Sequence, residues 1–414
     1  MHKKEMGKFL QEIKYSYRDV SIVPAKTSSI NHRCECNPWN EENMLPLFTA
    51  PMDSVVGINN YQIFEDNKIT PIIPRTEAIE ERINFLKNGY WVALSLSEFE
   101  EVIINQSDSF KCGNKIHALI DVANGHMQSI LDLSKKAKKI YGDTIVIMAG
   151  NIANPETYYA YYEAGIDYVR CSIGSGNCCI SSSQLGVHYG IASLINEIYQ
   201  IKQNLYWSAK TLHKKLPMIV ADGGIRNYSD VVKALSLGSD YVMCGSIFSK
   251  MIESNAKKEY IAIEADQTAI DNISPLNPSS FTYQDLINYY SNLTCENGLW
   301  YGDYTENALL KIRETIGLDT NIPRTHNLIG QINATTYGMA SKYGQIAING
   351  KKTRTSEGIK KVIPVEYSIT TWVENMADYL RSAMSYCNAK TLDEFRENTT
   401  LVLNSPLTYD SINK

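Results

Sequence analysis

Three glycine-containing segments carry the side chains of this sequence that could do chemistry, and each follows a short apolar run. The first, SIGSGNCCIS (172–181), holds two adjacent cysteines, Cys178 and Cys179. The other two are ADGGIR (221–226) and CGS (244–246). A thiolate in such a loop can act as a nucleophile, and glycines let backbone N–H groups come close to a phosphate. The alternatives are a structural cysteine and glycines that only make tight turns.

The elements that position these loops are short apolar runs separated by helical patterns. The eight runs are LPLFTA (45–50), ITPII (69–73), WVALSL (91–96), IHALIDV (116–122), TIVIMAG (144–150), YVRCSI (168–173), PMIVADG (217–223) and YVMCGS (241–246). Near-continuous apolar character is typical of parallel strands that are buried on both faces. Eight strands alternating with helices predict an α/β fold of the (β/α)₈ TIM-barrel class, whose active site lies on the loops after the strands.

The polar segment from 251 to 330 breaks this rhythm, with Asn, Ser and Pro clustered in it. We expect residues 1–250 and 331–414 to form the barrel domain, and residues 251–330 to be an insertion or lid after the eighth strand whose fold the sequence leaves open. Near the end of the chain, Trp372, Met376, Leu380 and Met384 recur at helical spacing. This apolar stripe predicts a helix that packs on the barrel.

Composition excludes several classes of protein. The chain has 414 residues, of which 44% are hydrophobic and 21% charged, so it is not a disordered protein. Its formal net charge of −5 argues against nucleic acid as a partner. No apolar stretch is long enough to span a membrane, and the amino terminus lacks the apolar core of a secretion signal. The nine cysteines include no CxxC pair, so we expect a reduced, cytoplasmic protein without structural zinc.

The motifs, taken together, resemble the IMP dehydrogenase/GMP reductase family. The matching elements are YRDVSIVP (17–24), APMDSV (50–55), IDVANGH (120–126), MAGNIA (148–153), RCSIGSGNCC (170–179), ADGGIR (221–226), MCGSIF (243–248), YGMAS (337–341), RTSEG (354–358) and LRSAMSYCNAKTLDEF (380–395). They occur in family order, and the segment 251–330 lies outside the resemblance. No room remains for the paired CBS regulatory domains that many of the dehydrogenases carry.

The resemblance implies a chemistry. Cys179 matches the nucleophile that attacks C2 of a purine 5′-nucleotide, after which a hydride passes between C2 and a nicotinamide. Ser181 stands where the family has a threonine, and it keeps a hydroxyl for proton transfer. Glu357 matches the carboxylate that would relay a proton with Ser181 to the departing amine, a role that a positioned carboxylate can fill.

The resemblance also implies binding residues. The positions expected to contact the purine nucleotide are Met52, Asn177, Asp222, Gly223, Gly224, Gly245, Ser246, Tyr337, Gly338, Met339 and Arg354. Those expected to face the nicotinamide cofactor are Asp121, Asn151, Arg170 and Arg75. The carbonyls of Gly174, Gly176 and Cys179 match those that hold a potassium ion in many dehydrogenases. Asn177 replaces a serine of the family, and Arg75 follows the second strand where the reductases have a catalytic lysine, which arginine cannot replace as a proton donor.

The direction of the reaction depends on two signatures. The DVANG loop (121–125) and the RTSEG loop (354–358) are those of the reductases, and the Arg-Tyr pair with which the dehydrogenases hydrolyse their intermediate is missing. The resemblance therefore favours NADPH-dependent conversion of GMP to IMP and ammonia. Arg170 and the pair Gly245-Ser246 are more dehydrogenase-like, so oxidation of IMP to XMP with NAD stays open. So do a reaction on another purine nucleotide and a nucleotide-binding protein with weak catalysis. Family members also imply a homotetramer.

Overall fold

The computed structural model describes residues 12–110, 113–261, 281–310, 327–351 and 354–405. In this part of the chain, no helix combines the length and the apolarity that crossing a membrane would require.

Eight parallel strands form the central barrel, and each coincides with one of the eight apolar runs, although β6 continues past the end of its run at residue 150. They are β2 (Leu47–Thr49), β3 (Ile72–Ile73), β4 (Trp91–Leu94), β5 (Ile116–Asp121), β6 (Ile145–Ile152), β7 (Tyr168–Cys171), β8 (Met218–Asp222) and β9 (Tyr241–Cys244). The sheet runs in the order β2-β9-β8-β7-β6-β5-β4-β3. Hydrogen bonds from Thr49 N to Thr70 O (3.0 Å) and from Thr70 N to Leu47 O (3.1 Å) join its two ends. The predicted (β/α)₈ barrel is confirmed.

Helices connect these strands and cover the outside of the barrel. They are α1 (Tyr61–Asp66), α2 (Ile79–Lys87), α3 (Leu96–Phe99), α4 (Gln128–Tyr141), α5 (Thr157–Ala164), α6 (Ser181–Leu185), α7 (Ile191–Thr211) and α8 (Tyr228–Ser236). Inside the barrel, the rings of Phe48, Trp91, Tyr168 and Tyr241 pack edge to face or tilted against one another. Three of these residues begin their strands, so the aromatic layer fills the amino-terminal end and leaves the carboxyl-terminal end for a site.

A second, antiparallel sheet follows the barrel. Its strands are β10 (Lys258–Ile261), β11 (Tyr290–Glu296), β12 (Leu299–Tyr304), β13 (Asn327–Tyr337) and β14 (Lys360–Pro364). The long strand β13 pairs with β10, β12 and β14. Helices α9 (Tyr283–Tyr289) and α10 (Lys342–Asn349) belong to the same stretch of chain. This sheet has its own core, which includes Phe281, Trp300 and Ile332.

The second sheet extends beyond the boundary drawn from composition at residue 330, because most of β13 and all of β14 lie after it. Composition does not show this continuation, for a physical reason. The boundary followed a change in polarity, whereas an antiparallel strand with one solvated face mixes polar and apolar residues and gives no such change. The fold of residues 262–280 and 311–326 lies outside the described part of the chain.

The chain ends back on the barrel. Helix α11 (Ile369–Tyr386) buries Trp372, Met376, Leu380 and Met384 in the barrel core cluster, as the apolar stripe predicted. The ring of Trp372 stacks on Tyr228 of α8. After α12 (Leu392–Asn398), strand β15 (Thr400–Leu403) pairs with β1 (Val20–Val23) and ties the two ends of the described chain together.

Candidate active site

The predicted site residues collect at the carboxyl-terminal end of the barrel. Asp121 ends β5, Asn151 lies at the end of β6, and Asp222 ends β8. The loop 172–181 follows β7, and Gly245 follows β9. Because parallel strands place all their carboxyl ends on one side, five separate stretches of sequence meet there.

Cys179, Ser181 and Glu357 form a continuous hydrogen-bonded chain. The thiol of Cys179 donates to Oγ of Ser181 at 3.3 Å, and the Ser181 hydroxyl donates to Oε2 of Glu357 at 2.7 Å. Cys179 is partly exposed, whereas its neighbour Cys178 is buried, and burial raises the pKa of the Cys178 thiol. The accessible thiol is therefore the one that has a hydroxyl and a carboxylate beside it.

The backbone brings Glu357 to the cysteine loop, although the two are far apart in sequence. Ile180 N donates to the Glu357 carbonyl at 2.9 Å, and Ile359 N donates to the Cys178 carbonyl at 3.0 Å. A side chain at Gly358 would place its Cβ 2.9 Å from that same carbonyl oxygen. Only glycine permits this approach, so Gly358 of the RTSEG loop is explained by packing.

The glycine-rich turns after β8 and β9 form a cradle beside the cysteine loop. Gly223 has a φ of +89°, and a Cβ there would lie 3.1 Å from the backbone nitrogen of Gly176. The side-chain amide of Asn177 donates to Oγ of Ser246 at 2.9 Å. A Cβ at Gly245 would lie 3.2 Å from the sulfur of Met52. The structure thus brings together residues predicted from four different loops to contact the nucleotide.

Arg170 lies between two carboxylates at the centre of the site. Its Nη1 donates to Oδ1 of Asp121 at 2.6 Å, and its Nε donates to Oδ2 of Asp222 at 2.9 Å. Asn151 Nδ2 donates to the same Asp222 oxygen at 2.7 Å. Burial opposes the charge of the guanidinium, but the two carboxylates outweigh it and raise the pKa of Arg170. Asp222 therefore has one oxygen committed to Arg170 and Asn151.

Comparison with known proteins shows which family this barrel resembles. Residues 113–268 match the model of the IMP dehydrogenase/GMP reductase domain. The GMP reductase of Streptococcus pneumoniae (strain CGSP14) is 28% identical over 263 residues, which are 61% of this chain and 74% of that protein. The GMP reductases of Shouchella clausii and Helicobacter pylori are each 29% identical, over 254 and 252 residues, which are 59% of this chain and 73% of each relative.

Residues 113–268 thus carry the domain that the IMP dehydrogenase/GMP reductase family shares. At the level of the family, the protein is an enzyme, an oxidoreductase of purine nucleotides.

Arg75, where this sequence departs from the reductase pattern, lies beside Asp121 and Glu98. Arg75 approaches the carbonyl of Asp121 with Nη1 at 3.4 Å, and its Nε lies 3.6 Å from Oε2 of Glu98. Although burial opposes its ionisation, the ion pair of Glu98 with Arg82 lowers the pKa of Glu98 to about 2. A permanently charged Glu98 thus faces Arg75 and holds it at the edge of the site.

Tyr337, at the end of β13, has a partner that the sequence reasoning missed. Its hydroxyl donates to Oδ2 of Asp53, and burial raises the pKa of Asp53. Asp53 directly follows Met52 in the APMDSV motif, and a carboxylate just after a barrel strand was the signal that could have identified it. The next residue, Ser54, shares a hydrogen bond of 2.9 Å with Thr336, so this loop is joined to β13 at two successive positions.

The segments around β13 and β14 hold the remaining residues that were predicted to contact the nucleotide. Gly338 packs against the cysteine loop, since a Cβ there would lie 2.7 Å from the Cys178 carbonyl oxygen, and Met339 follows it in the same turn. Arg354, by contrast, is an exposed residue. Its backbone N–H donates to Oε1 of Gln345 at 2.9 Å.

Two of the three carbonyls expected to hold potassium, those of Gly174 and Gly176, accept hydrogen bonds within the chain. The Gly174 carbonyl accepts from the Ser182 hydroxyl at 3.1 Å, and the Gly176 carbonyl accepts from Cys179 N at 3.0 Å. A carbonyl oxygen has two lone pairs, so each keeps one acceptor position. Gly224, with a φ of +75°, completes the same end of the barrel against Tyr17.

Proposed function

We propose that this enzyme is a GMP reductase, which converts GMP to IMP and ammonia with NADPH through a covalent bond between Cys179 and the purine. The observation that carries the proposal is the chain from the Cys179 thiol through Ser181 to the Glu357 carboxylate, set beside the glycine cradle. The relatives compared above bear the name GMP reductase. A thiol, a hydroxyl and a carboxylate in series can both activate a nucleophile and protonate a leaving amine.

The nucleotide would lie with its phosphate in the cradle. Backbone N–H groups of Gly223, Gly224 and Gly245 and the pair Asn177–Ser246 offer donors suited to an anion. The free oxygen of Asp222 would accept from a ribose hydroxyl. Met52, packed against Gly245, would contact the purine face. This arrangement would place C2 of the base near the Cys179 sulfur.

Cys179, Ser181 and Glu357 would then carry out the bond-forming and proton-transfer steps. The Cys179 proton leaves through Ser181 to Glu357, and the thiolate adds to C2 of GMP. The C2 amine takes a proton from the same relay and departs as ammonia, which leaves Cys179 bonded to C2. When C2 has accepted a hydride, the C–S bond breaks, IMP forms, and the thiolate is regenerated. Each proton movement uses the two hydrogen bonds that the structure contains.

The nicotinamide would be held by Asp121, Asn151, Arg170 and Arg75. These residues fit a polar carboxamide, because Asp121 and Asp222 fix Arg170 and the Arg75 guanidinium reaches the end of β5. Bound there, NADPH supplies the hydride that C2 accepts. Potassium at the carbonyls of Gly174, Gly176 and Cys179 and a homotetrameric assembly remain parts of the proposal.

IMP dehydrogenase activity, the oxidation of IMP to XMP with NAD, is the second candidate. It is favoured by Arg170, by Ser246 beside Asn177, and by arginine rather than lysine at position 75. The missing Arg-Tyr pair counts against it, because hydrolysis of the covalent intermediate needs a group that activates water.

Absorbance of the reduced nicotinamide distinguishes the two. We expect wild-type protein to consume NADPH when GMP is added, and the Cys179→Ala variant to leave it unchanged. Formation of NADH from IMP and NAD⁺, with no consumption of NADPH with GMP, would replace the reductase by the dehydrogenase. If neither pair changes the absorbance, the protein either acts on another purine nucleotide or binds nucleotides with weak catalysis. Equilibrium binding of GMP to the same samples would separate those two outcomes.

A further inference from the structure

The segment 354–358, which carries Glu357, is fixed to helix α10 by hydrogen bonds. Lys342 N donates to Oγ of Ser356 at 3.1 Å, and Glu357 N donates to the Ala340 carbonyl at 3.0 Å. These contacts are local to the two ends of the excursion between β13 and β14. They hold Ser356 and Glu357. Arg354 and Thr355 precede these two residues in the segment.

Gln345 contacts Arg354 and Thr355 from inside the helix. Its side chain is 2% exposed. Its Oε1 accepts from Arg354 N at 2.9 Å, and its Nε2 donates to the Ala340 carbonyl at 3.2 Å and to the Thr355 carbonyl at 3.4 Å. The one amide therefore binds the backbone N–H of Arg354 and the backbone carbonyl of the next residue, Thr355.

The Ala340 carbonyl connects Gln345 to the reacting groups. It accepts from both Gln345 Nε2 and Glu357 N, so the amide and the carboxylate residue share one anchor. From Glu357 the path continues through Oε2 to Ser181 and Cys179. A shift of the segment that Gln345 holds would move the carboxylate relative to the hydroxyl.

We propose that Gln345 is a positioning residue that sets the Glu357 carboxylate against Ser181. The inference rests on the proposed function, in which Glu357 and Ser181 move the proton. Glutamine suits the position because it both accepts and donates in the plane of one amide. Leucine would remove the side-chain partners of Arg354 N and Thr355 O, glutamate would turn a second acceptor toward two carbonyls, and asparagine would be one methylene too short.

The test compares Gln345→Leu and the milder Gln345→Asn with Gln331→Leu. Gln331 is an exposed residue of β13, so the control makes the same chemical change outside the segment. We expect Gln345→Leu to lower kcat for GMP reduction by about 10- to 100-fold with little change in KM, because a small misplacement of a catalytic group has effects of this size. Gln345→Asn should lose less, and Gln331→Leu should match the wild type.

A double-mutant cycle separates positioning from general damage. In a Glu357→Gln background, Gln345→Leu should cost little further activity, because the group it positions is already gone. If the two losses multiply instead, Gln345 does not act through Glu357 and the proposal is overturned.

Amide hydrogen exchange makes the test independent of the reaction. Gln345→Leu should speed exchange in the peptide that contains 354–358 while leaving the barrel strands protected, and Gln331→Leu should not. Unchanged exchange would overturn the inference. If no variant nor the wild type turns over GMP, the proposed function fails, but faster exchange at 354–358 would still establish that Gln345 holds this segment.

Discussion

At the scale of single residues, the Ser181 hydroxyl is the link between thiol and carboxylate. We expect Ser181→Ala to lower kcat for GMP reduction by about 100-fold or more, because a positioned proton-transfer group contributes this much. Binding of GMP should change little, since Ser181 is not part of the glycine cradle. Steady-state kinetics with GMP and NADPH, together with equilibrium binding of GMP, measure both quantities.

Ser183 offers a matched control on the same helix. Ser183 is exposed and its hydroxyl donates to the Ile180 carbonyl at 3.0 Å, so Ser183→Ala makes the same chemical change without touching the relay. It should retain near wild-type kcat. Equal losses in the two variants would mean that helix α6 is merely sensitive to alanine, and the relay would lose its support.

The sequence identified those site residues that match functional positions in the family motifs. Cys179, Ser181 and Glu357 stand in segments that resemble family motifs, and the structure brings them together. Asp53 and Gln345 were missed for different reasons. Asp53 was passed over beside Met52, whereas Gln345 acts through backbone groups of residues nine and ten positions away, which no pattern of residue types displays.

At the scale of elements, the site depends on close contact between the RTSEG segment and the cysteine loop. Gly358 is the point of contact, because an added Cβ would lie 2.9 Å from the Cys178 carbonyl oxygen and 3.1 Å from Ser341 N. Both neighbours are backbone atoms that cannot rotate away. We therefore expect Gly358→Ala to separate the two loops, with a loss of kcat of about 10-fold or more and a thermal midpoint lowered by a few degrees, roughly 1–3 kcal/mol of overpacking.

Gly113→Ala is the control for that substitution. Its nearest atom to an added Cβ is the Lys87 carbonyl oxygen at 3.9 Å, an ordinary contact. Kinetics and calorimetry on both variants give the comparison. Full activity of Gly358→Ala would show that the loops tolerate separation and that Glu357 is not held through this contact.

The barrel elements were predictable and the second sheet was not, for one physical reason. Strands of a barrel are buried on both faces, so each appears as an apolar run such as TIVIMAG. Strand β13, NLIGQINATTY, pairs with three other strands but alternates polar and apolar residues, and its partners are distant in sequence. Local composition does not encode which of several weak strands will pair.

At the scale of the whole molecule, one junction joins the barrel, the second sheet and helix α11. Residues 251–258 leave the barrel there, and the buried carboxylate of Glu253 accepts from Ile369 N, at the start of α11, at 2.9 Å. Lys258, fully buried at the start of β10, donates to the carbonyls of Ser254 and Ala256. Burial raises the pKa of Glu253 to about 7, although Lys258 opposes the shift, and burial lowers the pKa of Lys258 to about 7.

This junction predicts a dependence of stability on pH. Because the pKa of Glu253 is higher in the folded protein than its ordinary value of 4.5, the folded state gains from protonation at low pH. That contribution is complete below about pH 4.5 and is lost as the pH rises through about 7. Lys258, whose pKa is also about 7, loses its charge at the upper end of this window. Among the residues that the structure describes, Glu253 also shifts the pKa of Tyr283, which titrates far higher.

Glu253→Gln isolates this effect, since glutamine keeps the oxygen that accepts from Ile369 N but cannot ionise. We expect the variant and the wild type to be similar in stability near pH 5, and the variant to be more stable by about 1–3 kcal/mol near pH 8. Urea unfolding across this range measures the difference. Glu366→Gln, at a partly exposed neighbour paired with Lys250, should show no such divergence. A wild-type-to-variant difference that stays constant with pH would mean that the Glu253 charge is relieved by its surroundings, and that the junction holds barrel and sheet together equally well whether or not Glu253 is ionised.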